Sequence, residues 1–267
     1  MQRCLILVFM LATFHFACNA YSQQGNDREE GKVPASREQW RTIFLRGKNI
    51  GYVHDAVDTI DRDGKQVVVN QHTSVVDVSL ARQRAGAAVP SDDPARVTIQ
   101  SEETVNGEVL AFRYQARNPP LVNIRKQGRV IDGQLRIQAE SNGRVTTKVR
   151  ELPNDVKGPA YADRMLLVQP LKANETRVIV TFDPRSAQVD TIRFEARDFE
   201  NTVLEDGTEK RLLHVVVRHS TAPGEVFHEF LDEKGESWKT TVPSQDMVVY
   251  TTSRETALKL FGNVEKP

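Results

Sequence analysis

The residues that could do chemistry in this chain are few and widely spaced. Beyond the first twenty residues the histidines are His54, His72, His214, His219 and His228, and both cysteines, Cys4 and Cys18, lie within those twenty. Nucleophilic catalysis needs a serine or cysteine beside a histidine that a third group orients, and no G-x-S-x-G elbow is present. If Pro223-Gly224 turns the chain so that its flanking strands pair, His214 and His228 project from one face, a two-ligand start for a metal. That face also carries Arg218 and lies opposite Leu213, Val215 and Val217. Both histidines therefore read as solvent-side strand residues, and no metal is expected. The run Asp232-Glu233-Lys234-Gly235-Glu236 gathers carboxylates on a tight turn, where solvent would treat them alike; an acid and base pair needs two different environments. No glycine-rich phosphate loop leads from a strand into a helix. These absences argue against an enzyme and against a cofactor.

The large side chains on strand-like runs are Trp40, Tyr52, Phe112, Phe227, Phe230 and Trp238. Residues of that size on strands first suggest core. On a curled, partly filled sheet they would instead line its concave face, and Tyr52, Phe112, Phe227 and Phe230 are the candidate ligand-binding residues. Strand parity alone does not say which face is concave.

What must position them is a β meander. From Trp40 to Leu80, short extended runs are joined by turn dipeptides; Ile50, Tyr52 and Ala56 share one parity and Val53, Val57 and Thr59 the other, as in a strand covered on both faces. Asp63-Gly64 suits a two-residue hairpin turn, which needs φ > 0 at both positions. After a loop of small residues and prolines following Leu80, strands are expected at 95–104, 109–116, 121–126, 129–131, 134–139 and 144–152. Asn106-Gly107, Gln127-Gly128, Asp132-Gly133 and Asn142-Gly143 separate them. Gly158–Val168 reads as a short helix with Pro159 in its first turn and Pro170 beyond its end. Six further strands follow, and a last helix is expected to be capped by Thr252, with Glu255 completing the box and Gly262 closing it. The fold class is mainly β (α+β), a large curved antiparallel sheet or half-barrel of about a dozen strands, with one short packed helix and a short C-terminal helix.

At 267 residues the chain can form one large β domain, and its 36 basic and 36 acidic residues balance. Nothing marks a basic surface for nucleic acid or anionic lipid. Met1–Ala20 has a cationic start at Arg3, an apolar run and small residues at its end, the pattern of a secretory signal. Cleavage after Ala20 is preferred; cleavage before Cys18 would leave a lipidated N-terminal cysteine, the one expected link to a membrane. Residues 21–37 are polar enough to form a disordered tether, and 38–267 a single β-rich domain, exported to the periplasm or cell envelope. Once the leader is removed no cysteine remains in the folded part.

Several runs resemble a known family. W-R-T-I-F-L-R-G-K-N-I-G-Y-V-H from Trp40, G-P-A-Y-A-D-R-M-L-L from Gly158, P-L-K-A-N-E-T from Pro170, F-D-P at Phe182, F-L-D-E-K-G-E from Phe230 and V-V-Y-T-T-S-R-E-T-A from Val248 resemble the non-catalytic N-terminal region of exported bacterial transglutaminase-like proteins. That region is similar to the half-barrel of periplasmic lipoprotein carriers. The resemblance implies a non-catalytic envelope module that binds an apolar or extended ligand, a lipid chain or a peptide, on the concave face. It equally allows an accessory or regulatory domain for a transglutaminase-like or peptidase domain on a separate chain, an envelope protein partner. The Cys-His-Asp triad of such proteins has no counterpart here, so no catalytic residue carries over.

Overall fold

The computed structural model describes residues 36–78, 93–118 and 122–261. The leader, the cleavage or lipidation choice at Cys18, most of the tether and the expected cap at Gly262 lie outside the described residues. Fourteen strands form one antiparallel sheet in the order β8-β7-β6-β5-β4-β3-β2-β1-β14-β13-β12-β11-β10-β9. The first strand lies in the middle of the sheet. The chain meanders through β1 (Ser36–Leu45), β2 (Lys48–Arg62), β3 (Lys65–Val76), β4 (Ala95–Thr104), β5 (Val109–Asn118), β6 (Val122–Ile131), β7 (Gln134–Ser141) and β8 (Arg144–Glu151) to one edge. Helix α1 (Tyr161–Val168) then carries it to the opposite edge. It returns through β9 (Thr176–Asp183), β10 (Gln188–Val203), β11 (Glu209–His219), β12 (Phe227–Leu231), β13 (Ser237–Val242) and β14 (Met247–Thr252) to pair with β1, and ends in α2 (Arg254–Phe261).

Turn chemistry explains the meander. Asp63-Gly64, Asp132-Gly133 and Asn142-Gly143 have φ between +50° and +78°, the left-handed pair that matches the twist of flanking strands. Gln127-Gly128 is not a turn. β6 runs straight through it, and Gly128 is there because the Phe112 ring on the neighbouring strand occupies the space a Cβ would need. The C-terminal cap also differs from expectation: Ser253, not Thr252, accepts the hydrogen bond from the Thr256 N–H, one residue later.

Fourteen right-twisting strands cannot stay flat, and this sheet rolls up like a scroll. One face of β1–β4 and β9–β14 looks inward on a core containing Ile43, Val53, Phe194, Val215, Leu231 and Val249. Ala162 and Leu166 of α1 close that core, and the Gly235 turn rests directly on the Leu166 carbonyl. On β5–β7 the same face lies against the back of β9: Phe112, Leu135 and Ile137 pack on Val180 and Phe182, with the Phe112 and Phe182 rings 5.0 Å apart. The strands β6–β8 thus overlap the β9 edge from outside. Backbone groups of Lys157 and Gly158 stitch this overlap at one end. Lys157 donates its N–H to Val180 O and accepts from Phe182 N–H, while Gly158 N–H bonds Gly107 O, so the 157–158 backbone bridges the start of β5 to β9.

A buried charge ties α1 to this seam. Glu103 is fully buried; its carboxylate accepts from the Ala160 N–H (2.8 Å) and the Ser101 hydroxyl and pairs with Arg164 (3.2 Å). Gly158 has no room for a Cβ against it. α2 covers Tyr52 and Val75 on the outer side of β2 and β3 through Ala257.

Candidate functional site

The four aromatic candidates do not meet. Tyr52 lies beneath α2, Phe112 in the overlap with β9, and Phe227 in the main core, none more than 3% exposed. Phe230 faces the other way, stacked on His214 with Lys239 over its ring. Each ring completes a different packing layer.

Sequence parity does place His214 and His228 together. His214 Nε2 and His228 Nδ1 are 2.8 Å apart, in hydrogen-bond contact, and Leu213, Val215 and Val217 are buried behind them. Burial, and then the charge of His214, lower the His228 pKa, so His228 sheds its proton more readily than a free imidazole. Among the described residues no third ligand joins them. The Asp232 turn is not simply solvated, as expected, but satisfied. Asp232 accepts from the Lys234 and Glu236 N–H groups and from the Trp238 indole, with Lys210 over that indole.

Inside the barrel is a polar layer that parity did not reveal. Arg41 on β1 pairs with Asp55 on β2, which also bonds His72 Nδ1 on β3 (2.7 Å). Burial alone would raise the Asp55 carboxyl, but Arg41 and His72 together hold it well below the carboxylate range. Glu229 on β12 has no such partner. Burial pushes it up to about 8, Arg41 only partly opposing, and its Oε2 makes no hydrogen bond. Asp163 on α1 is raised by burial and then by Asp55 and Glu229. Matched by short bonds or neutralised by burial, these groups serve the fold.

The surface that remains open is the outer face of β3–β8. Strand registers align Gln71, Gln100, Arg113, Gln127, Gln138 and Thr147 in one cross-strand row. The flanking rows are Val69, Glu102, Ala111, Arg129, Arg136, Val149 and Thr73, Thr98, Gln115, Arg125, Glu140, Val145, in the same six strands. Glutamines bond within the row, Gln100 to Gln71 (3.2 Å) and Gln127 to Gln138 (2.8 Å). Two adjoining hollows of about 480 and 680 Å³ lie over these rows. Arg113, Arg125, Arg129 and Arg136 are exposed along them and carry no ion pair among the described residues. Of the two acids, Glu102 is taken by Arg62, at 2.6 Å from Nη1 and 3.2 Å from Nη2, which lowers its pKa. Sequence inspection favoured bulky residues and passed over this face, yet a signal was there. Between Val109 and Ser141, Arg113, Arg117, Arg125, Lys126, Arg129 and Arg136 stand against only Asp132 and Glu140.

Comparison with known proteins adds the following. No family model matches the chain, and no curated protein does. Among solved structures it is similar to a β-barrel-like protein of domain of unknown function DUF1849 from Brucella abortus, at 10% identity and a TM-score of 0.47, over 83% of this chain and 96% of that one. The link to transglutaminase-like proteins therefore rests on the sequence patterns alone.

Proposed function

We propose that this protein is an exported, non-catalytic binding module that holds an extended acidic peptide segment of an envelope protein across the outer face of β3–β8. The observation that carries the proposal is the set of four exposed guanidiniums, Arg113, Arg125, Arg129 and Arg136, over adjoining hollows in a chain whose charges balance overall. An arginine fork binds carboxylates bidentately, and the weakly hydrated guanidinium loses little on doing so. Between the arginines, glutamine amides offer both donors and acceptors for a peptide backbone. Of the two ligands the sequence suggested, a lipid chain or a peptide, this chemistry supports the peptide. Phe112 and Phe227 are packed within the scroll and Tyr52 beneath α2, and burying hydrocarbon at these rings, at about 25 cal/mol per Å², would first require unpacking their clusters.

A fluorescent oligoglutamate titrated into the full chain tests this by anisotropy. Binding should weaken as salt rises and fall at least about tenfold in the double variant Arg113→Glu/Arg129→Glu. Absence of binding by the folded wild type, or equal binding by the folded variant, would overturn the proposal. Displacement of the peptide by an acyl-chain lipid, with no effect of the arginine changes, would return the site to the apolar interior.

A further inference from the structure

The four guanidiniums of the open face are not scattered over it. Arg129 on β6 stands directly opposite Arg136 on β7, and like charges so placed repel. The acid in their row, Glu102, is separated from Arg129 by Ala111 and is forked by Arg62. Two residues along β6, Gln127 pairs with Arg113 of β5. Two further along, Arg125 pairs with Glu140 of β7. Positive charge thus steps along β6 every second residue, first as a pair, then as one arginine at its side, then as one with an acid opposite. The two hollows share the row of Arg113 and Gln127; one continues from it to Arg129 and Arg136, the other to Arg125 and Glu140. The opening is therefore continuous over the whole ladder. Spacing decides how an extended peptide fits it. Side chains on one face of such a peptide recur about every 6.7 Å, whereas neighbouring strands lie about 4.8 Å apart. Along β6 the two repeats match; from strand to strand they slip by about 2 Å at each contact.

We infer that the acidic segment lies along β6 and is read as alternating acids, the first over the Arg129–Arg136 pair, the next over Arg113 beside Gln127, and the third over Arg125. The inference rests on the reading of this face as a site for an acidic peptide, to which it adds a direction and a pattern. A carboxylate set between Arg129 and Arg136 relieves their repulsion and accepts from both, so this end is the anchor. Arg113 meets the second acid from the side of β5. The third contact is the weakest, because Glu140 opposite Arg125 repels an incoming carboxylate. Side chains between the acids point away from the sheet, and their identity matters little.

Two fluorescent heptapeptides of equal composition and charge test the pattern by anisotropy on the full chain at low salt. One alternates serine and glutamate; the other carries its three glutamates consecutively between serines. The alternating peptide sets three acids toward the face and the consecutive one two, so the first should bind about three- to tenfold more tightly. Arg125→Gln should remove that advantage while changing the affinity of the consecutive peptide by less than about twofold, and Glu140→Gln should enlarge it. Both variants lie on the exposed face and should remain folded by circular dichroism. Equal binding of the two peptides, with Arg113→Glu/Arg129→Glu weakening both, would overturn the inference and leave the face as an acidic-peptide site that reads no pattern. An advantage that survives Arg125→Gln would overturn the direction along β6. Failure of either peptide to bind the folded wild type would overturn the reading of the face and this inference with it.

Discussion

Arginines on the outer face of β9–β14 and on the outer face of β3–β8 meet opposite fates. In the first region Glu195 alone holds three of them, Arg193 at 2.7 Å and Arg197 and Arg218 at 3.0 Å. Nearby lysines sit over rings, Lys210 on Trp238 and Lys239 between Phe230 and Tyr250. In the second region four arginines face solvent with glutamines between them, and of the two acids there Glu102 already belongs to Arg62. Since the chain as a whole is neutral, the contrast lies in how charge is distributed. In the first region the partner of each charge is built into the fold; in the second the guanidiniums face solvent, and the acidic segment proposed above would be their partner.

The sharpest way to break the contrast is to unmatch a charge that the fold matches. Glu103→Ala should cost about 3–5 kcal/mol, because it strands Arg164 and the Ala160 N–H in the interior. The urea midpoint reports it, and Glu103→Gln, which keeps an acceptor, should lose less. A drop below about 1 kcal/mol would show that this pair does not anchor α1.

Next comes a charge the interior leaves unmatched. Glu229 has a folded pKa raised from 4.5 to about 8. Below 4.5 it is protonated in both states and its contribution is full; as pH rises through 8 the folded state alone resists ionisation, and that stability is lost. The urea midpoint should therefore fall over this window by an amount approaching 1.4 kcal/mol per pH unit, and Glu229→Gln should flatten the slope. Asp55 and Asp190, both held low, lose their contribution only in acid: Asp190, which His219 and the Ser220–Thr221 turn bring down to about 2 despite its burial, does so as pH falls from 3.8 through 2.

Much of this was legible in the sequence. Hairpin dipeptides mark local geometry, so Asp63-Gly64 and Asn142-Gly143 located their turns, and the alternation around Tyr52 and Val53 announced a strand covered on both faces. Gly128 misled because a glycine required by a neighbouring ring looks, in one dimension, like a glycine required by a turn. Pairing of β1 with β14 and the overlap of β5–β7 on β9 could not be read, since parity assigns a residue to a face without saying what that face meets. The same limit hid the Arg41–Asp55–His72 layer, whose members lie on three successive strands but whose polar side chains gave no sign of facing inward, and favoured Phe112 and Phe227, whose bulk announces core.

A smaller effect sharpens the comparison from the other side. Glu195→Ala should change stability by less than about 1 kcal/mol, as for exposed pairs generally, yet it frees Arg193, Arg197 and Arg218. Oligoglutamate should then gain a second site, seen as a rise in stoichiometry. Smallest of all is the stability effect of Arg129→Gln, within about 0.5 kcal/mol by thermal unfolding, alongside a severalfold loss of oligoglutamate affinity. A stability loss comparable to that of Glu103→Ala would mean that Arg129 is structural after all.

The pairing of β1 with β14 also governs how the chain can acquire its shape. Gln39 and Thr251, hydrogen-bonded across these strands, are 212 positions apart, so the middle of the sheet is the last part that a chain emerging N-terminus first can complete. The β1–β8 meander needs only hairpin contacts and can zip as it appears, whereas β1 keeps an unsatisfied side until nearly the whole chain has been made. Folding of this protein is thus a race between a quick local half and a slow closing step, with β1 exposed to wrong partners in the interval.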